Sequence, residues 1–383
     1  MTPYDILVRG DGAVGLAMAL ALSRQGLNVA MLGASAEPVA LSAQSSEAPA
    51  TAVRRADVRA YALNSASVRL LTSLKVWDAI PQDAKTAVHD MHVEGDAPGA
   101  ALDFSAWSQG LAELAWIVDA AELEAALRAA ARFAPHVVAV AAEVPATLQV
   151  LVEGKQSATR ERLHIQTLRH DYGQTAIAAR LLTAQPHANL ARQWFRSPDV
   201  LALLPLDRPE AGRGLALVWS LPTARAAELQ ALSDADFTAA LMDATAGDAG
   251  PLKLAGPRAA WPLSLARAAL LHGPGWVLAG DAAHVVHPLA GQGLNLGLAD
   301  VAALADVLAA RESWRRLDDP RLLARYARRR LGATLAMARV TDGLLQLFAS
   351  QQPVLKELRN RGLTLVYRLS PLKRLLTGRA LGG

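Results

Sequence analysis

A chain of 383 residues with 52% apolar and 19% charged residues can bury a sizeable core, and its length predicts two or three domains. It contains no cysteine, which excludes disulfides, thiolate metal sites and cysteine nucleophiles. The net charge of +4 is uneven: residues 311–383 carry 16 Lys/Arg against 5 Asp/Glu, or +11, leaving −7 for residues 1–310.

Asp5-Ile6-Leu7-Val8-Arg9 is expected as a short strand. Gly10-Asp11-Gly12-Ala13-Val14-Gly15 follows at once, then a helical stretch over 16–22 and a second strand over 28–32. This is G-x-G-x-x-G in its strand–turn–helix–strand setting. Gly10 suits the tight turn, Gly12 the approach of a pyrophosphate, and Gly15 close helix–strand packing. Residues 33–56, rich in Ala, Ser and Pro, predict a loop. Residues 54–64 then lead into a helix capped by Ser65, with Val68, Leu71 and Leu74 at helical spacing.

Further along, strands are expected at 88–94, 137–140 and 147–152, with an amphipathic helix over 120–133. From 175 to 219 the pattern is β-rich, with strands at 176–179, 188–195, 200–204 and 215–219. Helices follow near 224–232 and 234–246. A buried strand at 276–279 delivers Gly280-Asp281-Ala282-Ala283-His284, and a glycine-rich turn leads to a helix that includes 298–308. Helix is expected for most of the remainder, punctuated by Pro320, Pro353 and Pro371.

The strand ending at Asp281 offers one carboxylate beside a helix start whose free N–H groups favour negative charge. A polyol, or an electron-rich ring gaining charge, suits that corner. His284 and His287, spaced H-x-x-H like His89 and His92, are expected as hydrogen-bonded turn histidines; a metal centre is not expected. The basic, leucine-containing segment 354–379 reads equally as a surface for an anionic membrane and as a solvated helix face. No nucleic-acid motif accompanies its charge. No run approaches the length of a membrane span, and the first residues do not read as a signal peptide.

Gly280-Asp281-Ala282-Ala283-His284 with His287-Pro288-Leu289-Ala290-Gly291-Gln292-Gly293-Leu294-Asn295-Leu296-Gly297 resembles the flavin-dependent aromatic monooxygenases (class A), and within them the ubiquinone-biosynthesis hydroxylases. Asp57-Val58-Arg59-Ala60-Tyr61-Ala62-Leu63 is similar to that family's arginine-bearing segment. Asp171-Tyr172-Gly173-Gln174 and Leu203-Leu204-Pro205-Leu206 look like its stretches bordering the substrate sheet. The resemblance implies an α/β fold: a Rossmann-like FAD-binding domain of the glutathione-reductase type, an inserted β-sheet substrate domain and C-terminal helices. The expected divisions are 1–75, 88–170 and 265–310 for FAD, 76–87 and 171–264 for the substrate sheet, and 311–383 for the helices.

It further implies FAD held by Gly10, Gly12, Gly15, Arg59 and Asp281, with Pro288, Gly291, Gln292, Gly293 and Asn295 around the flavin ring. NAD(P)H is the implied co-substrate, and an aromatic, polyprenylated phenol the implied substrate. No catalytic acid or base is assigned, because in such chemistry the cofactor carries the difficult step. A cytoplasmic location is expected, with peripheral membrane contact through the basic tail and membership of a biosynthetic complex as companion expectations. Three departures stand out: Gly33 where the family places an acid after its second strand, Glu153 where it places an aspartate, and a short segment between Phe133 and Glu153. Asp11 within the glycine loop adds a carboxylate beside the pyrophosphate position. These residues motivate a rival reading, a non-catalytic accessory subunit with weakened FAD binding. A soluble hydroxylase of small aromatics is the other alternative.

Overall fold

The computed structural model describes residues 4–33, 57–95, 101–286 and 292–332. Its first sheet has six strands in the order β16 (His272–Gly273), β17 (Trp276–Leu278), β9 (Ala146–Leu151), β1 (Tyr4–Arg9), β2 (Val29–Leu32) and β8 (Val137–Val140). The five from β17 to β8 are mutually parallel. Parallel strands need crossovers that return the chain, and helices cover both faces of such sheets. The crossover from β1 to β2 is α1 (Ala13–Ser23), whose residues are nearly all buried. That burial explains its uniformly apolar composition. α1 packs against α3 (Ala120–Phe133) and α7 (Gln292–Ala309), and together they form the largest apolar core. The short segment after Phe133 still supplies both β8 and β9 to this sheet.

The second sheet runs β18 (His284–Val285), β15 (Ala259–Ala268), β10 (Thr167–Thr183), β13 (Gly214–Pro222), β12 (Asp199–Leu206), β11 (Leu190–Arg196), β5 (Asp90–Glu94) and β6 (Ala101–Ser105). A ninth strand, β14 (Leu252–Leu254), pairs with β10. α5 (Thr223–Ala231) and α6 (Asp234–Ala244) cover one face, closing a second core around Trp194, Trp219 and Phe237. Residues 171–174 form a bulge in β10, and 203–206 lie in β12, so both stretches belong to this sheet as expected.

A third sheet, β3 (Ala60–Leu63), β7 (Ala115–Asp119) and β4 (Lys85–Val88), lies against α2 (Ser65–Ser73) and α7. Here the elements differ from expectation. The strand expected over 88–94 is two strands in two sheets, because the chain leaves β4 at Val88 and re-enters as β5 beside β11. Asp90–Glu94 and Ala101–Ser105 therefore pair with the nine-stranded sheet, outside the part to which 88–170 was assigned. Conversely Trp77, Ile80 and Ala84 pack in the first core, outside the substrate sheet expected for 76–87. The cap of α2 is Asn64, whose side chain accepts from Ser67 N–H, and not Ser65. α4 (Ala158–Arg162), β3 and β7 had no counterpart in the expected elements.

A last helix, α8, covers residues 320–332. Asp319 accepts from the N–H groups of Arg321 and Leu322, and Pro320 takes a first-turn position where its missing N–H costs nothing. Buried Tyr326 donates to Leu278 O at 2.8 Å, docking α8 on the end of β17. The expected loop over 34–56, the segment 354–379, Pro353 and Pro371 lie outside the described residues.

Candidate FAD-binding site

The glycine loop leaves β1 at a point where three strands crowd together. Gly10 has φ +121°, and a Cβ there would lie 2.4 Å from Val152 O, so no other residue fits. A Cβ on Gly15 would lie 2.0 Å from Gly10 O, so α1 can follow β1 this closely only with glycine. A Cβ on Gly12 would meet nothing within 4 Å. Gly12 caps α1 with no side-chain hydrogen bond, and the first turn carries no acid. A helix start without a side-chain cap and with open space beside Gly12 is the arrangement that receives a diphosphate.

The second half of the site comes from β17 and α7. Gly280 takes φ +59° after β17, and its N–H donates to Asp300 Oδ2 at 2.8 Å. Asp300 is fully buried in α7. It also accepts from His284 Nε2 at 2.7 Å and from the Arg330 guanidinium of α8. Burial opposes its ionisation, but His284 and Arg330 outweigh burial and hold the carboxyl below its ordinary range. Burial likewise works against charge on His284, and Asp300 overrides it, raising that imidazole. The turn bearing Asp281 is thus clamped by a buried cation–anion cluster.

Asp281 itself differs. Burial pushes its carboxyl above the usual range, offset partly by Lys155 and His284. No described residue donates a hydrogen bond to it. A half-covered carboxylate short of donors fits a run of hydroxyl groups, which is what a ribityl chain offers. The Gly-rich loop and this carboxylate converge through Val14: a Cβ on Gly297 would lie 2.5 Å from Val14 Cγ2, and one on Gly280 3.3 Å from Val14 Cγ1. Gly280 and Gly297, 266 and 283 residues after Val14, thereby close on the loop near the start of the chain.

Arg59 lies at the start of β3. Its guanidinium is held by Asp57 at 2.6 Å and Glu124 at 3.2 Å, donates to Tyr61 Oη at 3.2 Å, and is half exposed. The Asp57 hydrogen bond raises its pKa further above the ordinary value. Tyr61, pushed up to about 12 chiefly by burial, is influenced by both Arg59 and Asp281, so the two share one neighbourhood. Asn295 is committed to protein: its Oδ1 accepts from Asn64 N–H and Ser67 Oγ, and its Nδ2 donates to Ala62 O. It anchors the start of α7 to β3 and α2. Gly293 is open on its Cβ side. Gln292 opens α7. Pro288, Gly291, His287 and the side chain of Gln292 lie outside the described residues.

Glu153 proves to be a cap for α4. It accepts from Ser157 Oγ and from Thr159 N–H and Oγ1, and it faces Arg9 Nε at 3.4 Å. Buried Arg160 of α4 then donates to Ala282 O at 3.0 Å and Lys155 O at 2.8 Å, bracing the Asp281 turn from below. Val14, Arg160, Asp300 and Arg330 are the residues that sequence reasoning missed. An acid between apolar neighbours in α7, Asp300 in Gly297-Leu298-Ala299-Asp300-Val301, was the signal for it.

Comparison with known proteins agrees with this geometry. The family model described as FAD binding domain matches residues 120–341. The chain is 31% identical to ubiquinone hydroxylase UbiL of Rhodospirillum rubrum, covering 99% of this chain and 89% of that protein. It is 31% identical to 3-demethoxyubiquinol 3-hydroxylase of Escherichia coli, covering 99% of each. The solved structure of PqsL, a probable FAD-dependent monooxygenase from Pseudomonas aeruginosa, shares the fold with a TM-score of 0.73. It is 20% identical over 94% of this chain and 99% of that one. The chain belongs to the FAD-binding-domain family of flavin-dependent aromatic monooxygenases.

Proposed function

We propose that this FAD-dependent monooxygenase hydroxylates the aromatic ring of a polyprenylated phenol or quinol in ubiquinone biosynthesis, with NADH or NADPH as electron donor. One oxygen atom of O2 enters the ring and the other leaves as water, with two electrons from the nicotinamide. When bound, FAD supplies the activation of oxygen. The protein's part is to hold, orient and shield. Gly10, Gly12 and Gly15 cradle the diphosphate, Asp281 accepts from the ribityl hydroxyls, and Arg59 lies at the cofactor's edge. Gly293 and Asn295 at the start of α7 would border the ring, with Pro288, Gly291 and Gln292 as the further neighbours that the resemblance implies, and the positive end of the helix would favour negative charge there.

The observation that carries this reading is the donor-poor carboxylate of Asp281, clamped in place beside an uncapped helix start. The similarity to two proteins named as ubiquinone-pathway hydroxylases supports the substrate class. Among the described residues no helix is long and apolar enough to cross a membrane. The basic, leucine-containing sequence of segment 354–379 supports a proposal that a polyprenyl substrate is met at an anionic membrane surface. Contact with a larger biosynthetic complex on the cytoplasmic side belongs to the same proposal, and nucleic acid has no place in it.

The experiment is an absorbance spectrum of the purified protein and a titration with FAD. Anaerobic reduction by NADH or NADPH and mass analysis of a prenylated phenol after turnover follow. Bound flavin and a product heavier by one oxygen are expected. A protein that takes up no flavin at high FAD would leave the accessory-subunit reading in its place. Turnover of small phenols only, without binding to anionic vesicles, would favour the soluble hydroxylase.

A further inference from the structure

In a doubly wound nucleotide fold, the carboxylate that accepts from the adenosine ribose hydroxyls stands about 20 residues past the glycine loop, at the end of the second strand. Here β2 ends at Leu32 and Gly33 follows, so that position offers no side chain. The space is nevertheless filled. A Cβ built on Gly33 would lie 3.0 Å from Asp11 Oδ2 and 3.3 Å from Asp11 Cγ. The Asp11 carboxylate therefore sits where a side chain at position 33 would begin. The backbone explains how it reaches there: Gly10 N–H donates to Leu32 O at 2.9 Å, which pins the glycine loop against the end of β2. Asp11 is exposed, and the open side of Gly12 is separate from the Asp11–Gly33 contact.

From this juxtaposition we infer that Asp11 takes over the ribose-binding role of the absent β2-end acid, accepting hydrogen bonds from the adenosine ribose of the dinucleotide. This rests on the reading of the site as one for FAD. The acid has moved from the strand to the loop, and Gly33 is the counterpart of that move. Gly33 is not needed for its backbone, which lies outside the left-handed region. A larger residue there would press on the Asp11 carboxylate and displace it, and an acid would add like charge at contact distance.

The test is a flavin-fluorescence titration of four proteins, wild type, Asp11→Ala, Gly33→Glu and the double variant, with FAD and with FMN, which lacks the adenosine ribose. Thermal melts without flavin check that each variant folds. Asp11→Ala is expected to weaken FAD about tenfold, the loss that removal of a hydrogen bond to a charged group produces. Its affinity for FMN should stay within about twofold of wild type. Gly33→Glu alone should also weaken FAD. The double variant, with its acid back on β2 and the contested space vacated, should recover most of the wild-type affinity. An Asp11→Ala protein that binds FAD as well as or better than wild type would overturn the inference, as would equal losses for FAD and FMN. A double variant no better than Gly33→Glu would count against it as well. These results concern Asp11 alone; failure of the wild type to bind FAD would instead remove the FAD reading itself, and this inference with it.

Discussion

Two carboxylates 19 residues apart, half-covered Asp281 and buried Asp300, have opposite electrostatic roles, and the difference can be measured. Asp300 is paired with His284, Arg330 and the Gly280 N–H, whereas Asp281 has no hydrogen-bond donor among the described residues. An ionised carboxylate short of donors costs stability in the absence of ligand. Because the folded pKa of Asp281 lies above 3.8, the folded state keeps its proton after the unfolded chain has lost it. Stability then falls as pH rises through that window, and the deficit is complete above it. Asp281→Asn should therefore melt higher than wild type at neutral pH without flavin, by roughly 1 kcal/mol, while binding FAD at least tenfold more weakly. A variant that loses stability and keeps its affinity would show the carboxylate to be structural. His284 gives the reverse case. Its folded pKa is raised above 6.5, so its contribution is fully present below 6.5 and is lost as pH rises through the folded value. Scanning calorimetry across that range should show a declining melting temperature in wild type and a flat one in His284→Gln. At this scale the glycine loop and Asp281 were legible in the sequence, because a positive φ or a lone acid at a strand end leaves few residue choices. Asp300 and Arg330 were not, since their partners lie on other elements and no spacing rule connects them.

Helix α7 shows how one element binds the two halves of the site. A glycine within a helix is ordinarily unfavourable by about 1 kcal/mol relative to alanine. At Gly297 that preference is overruled by Val14, whose Cγ2 would stand 2.5 Å from the new Cβ. Valine has a single strongly preferred rotamer in a helix, so it cannot swing aside. Gly297→Ala is expected to destabilise the protein by about 1–3 kcal/mol, the usual range for overpacking. In a Val14→Ala background the same substitution should become neutral or stabilising, because only the helix propensity remains. A denaturant-unfolding double-mutant cycle reads this change of sign, and additive effects would refute the contact. The element itself was legible from its apolar run after the second glycine motif. Its partner was not: the pairing of α7 with α1 joins residues 283 positions apart, Val14 with Gly297, and periodicity reports only that a face is buried. The split of the expected strand 88–94 has the same origin, as Val88 and Asp90 each follow a strand pattern while their partners lie in different sheets.

For the whole molecule the question is whether cofactor and substrate parts respond together. The two large cores are separate clusters, one around α1, α3 and α7 and the other around Trp194, Trp219 and Phe237. A small third cluster of Val88, Ala106, Leu114, Ile117, Ala191 and Leu206 lies between β4 and β7 on one side and β11 and β12 on the other. Beside it Arg180 of β10 donates to Arg59 O at 2.6 Å and to Asp119 Oδ2 at 3.0 Å, with both side chains largely buried. Arg180 thus connects the nine-stranded sheet to the residue that leads into β3 and to the cap of α3. Removing one partner of a buried ion pair costs about 3–5 kcal/mol, and here the loss falls on the seam. In wild type, FAD at a hundredfold excess over its dissociation constant should stabilise by about 2.7 kcal/mol and shift one cooperative melting transition. In Arg180→Leu the seam keeps the small apolar cluster, the Arg208 pairs with Asp83 and Glu122, and the Thr86–Asp207 and Asn189–Ala87 hydrogen bonds, but loses its buried ion pair, so calorimetry should resolve two transitions, and FAD should move only that of the nucleotide part. Adding Asp119→Asn removes the stranded charge while keeping a residue that caps α3 well, and should restore part of the lost stability without rejoining the transitions. A single transition in Arg180→Leu, shifted by FAD as far as in wild type, would show that the two parts are coupled without the Arg180 ion pair.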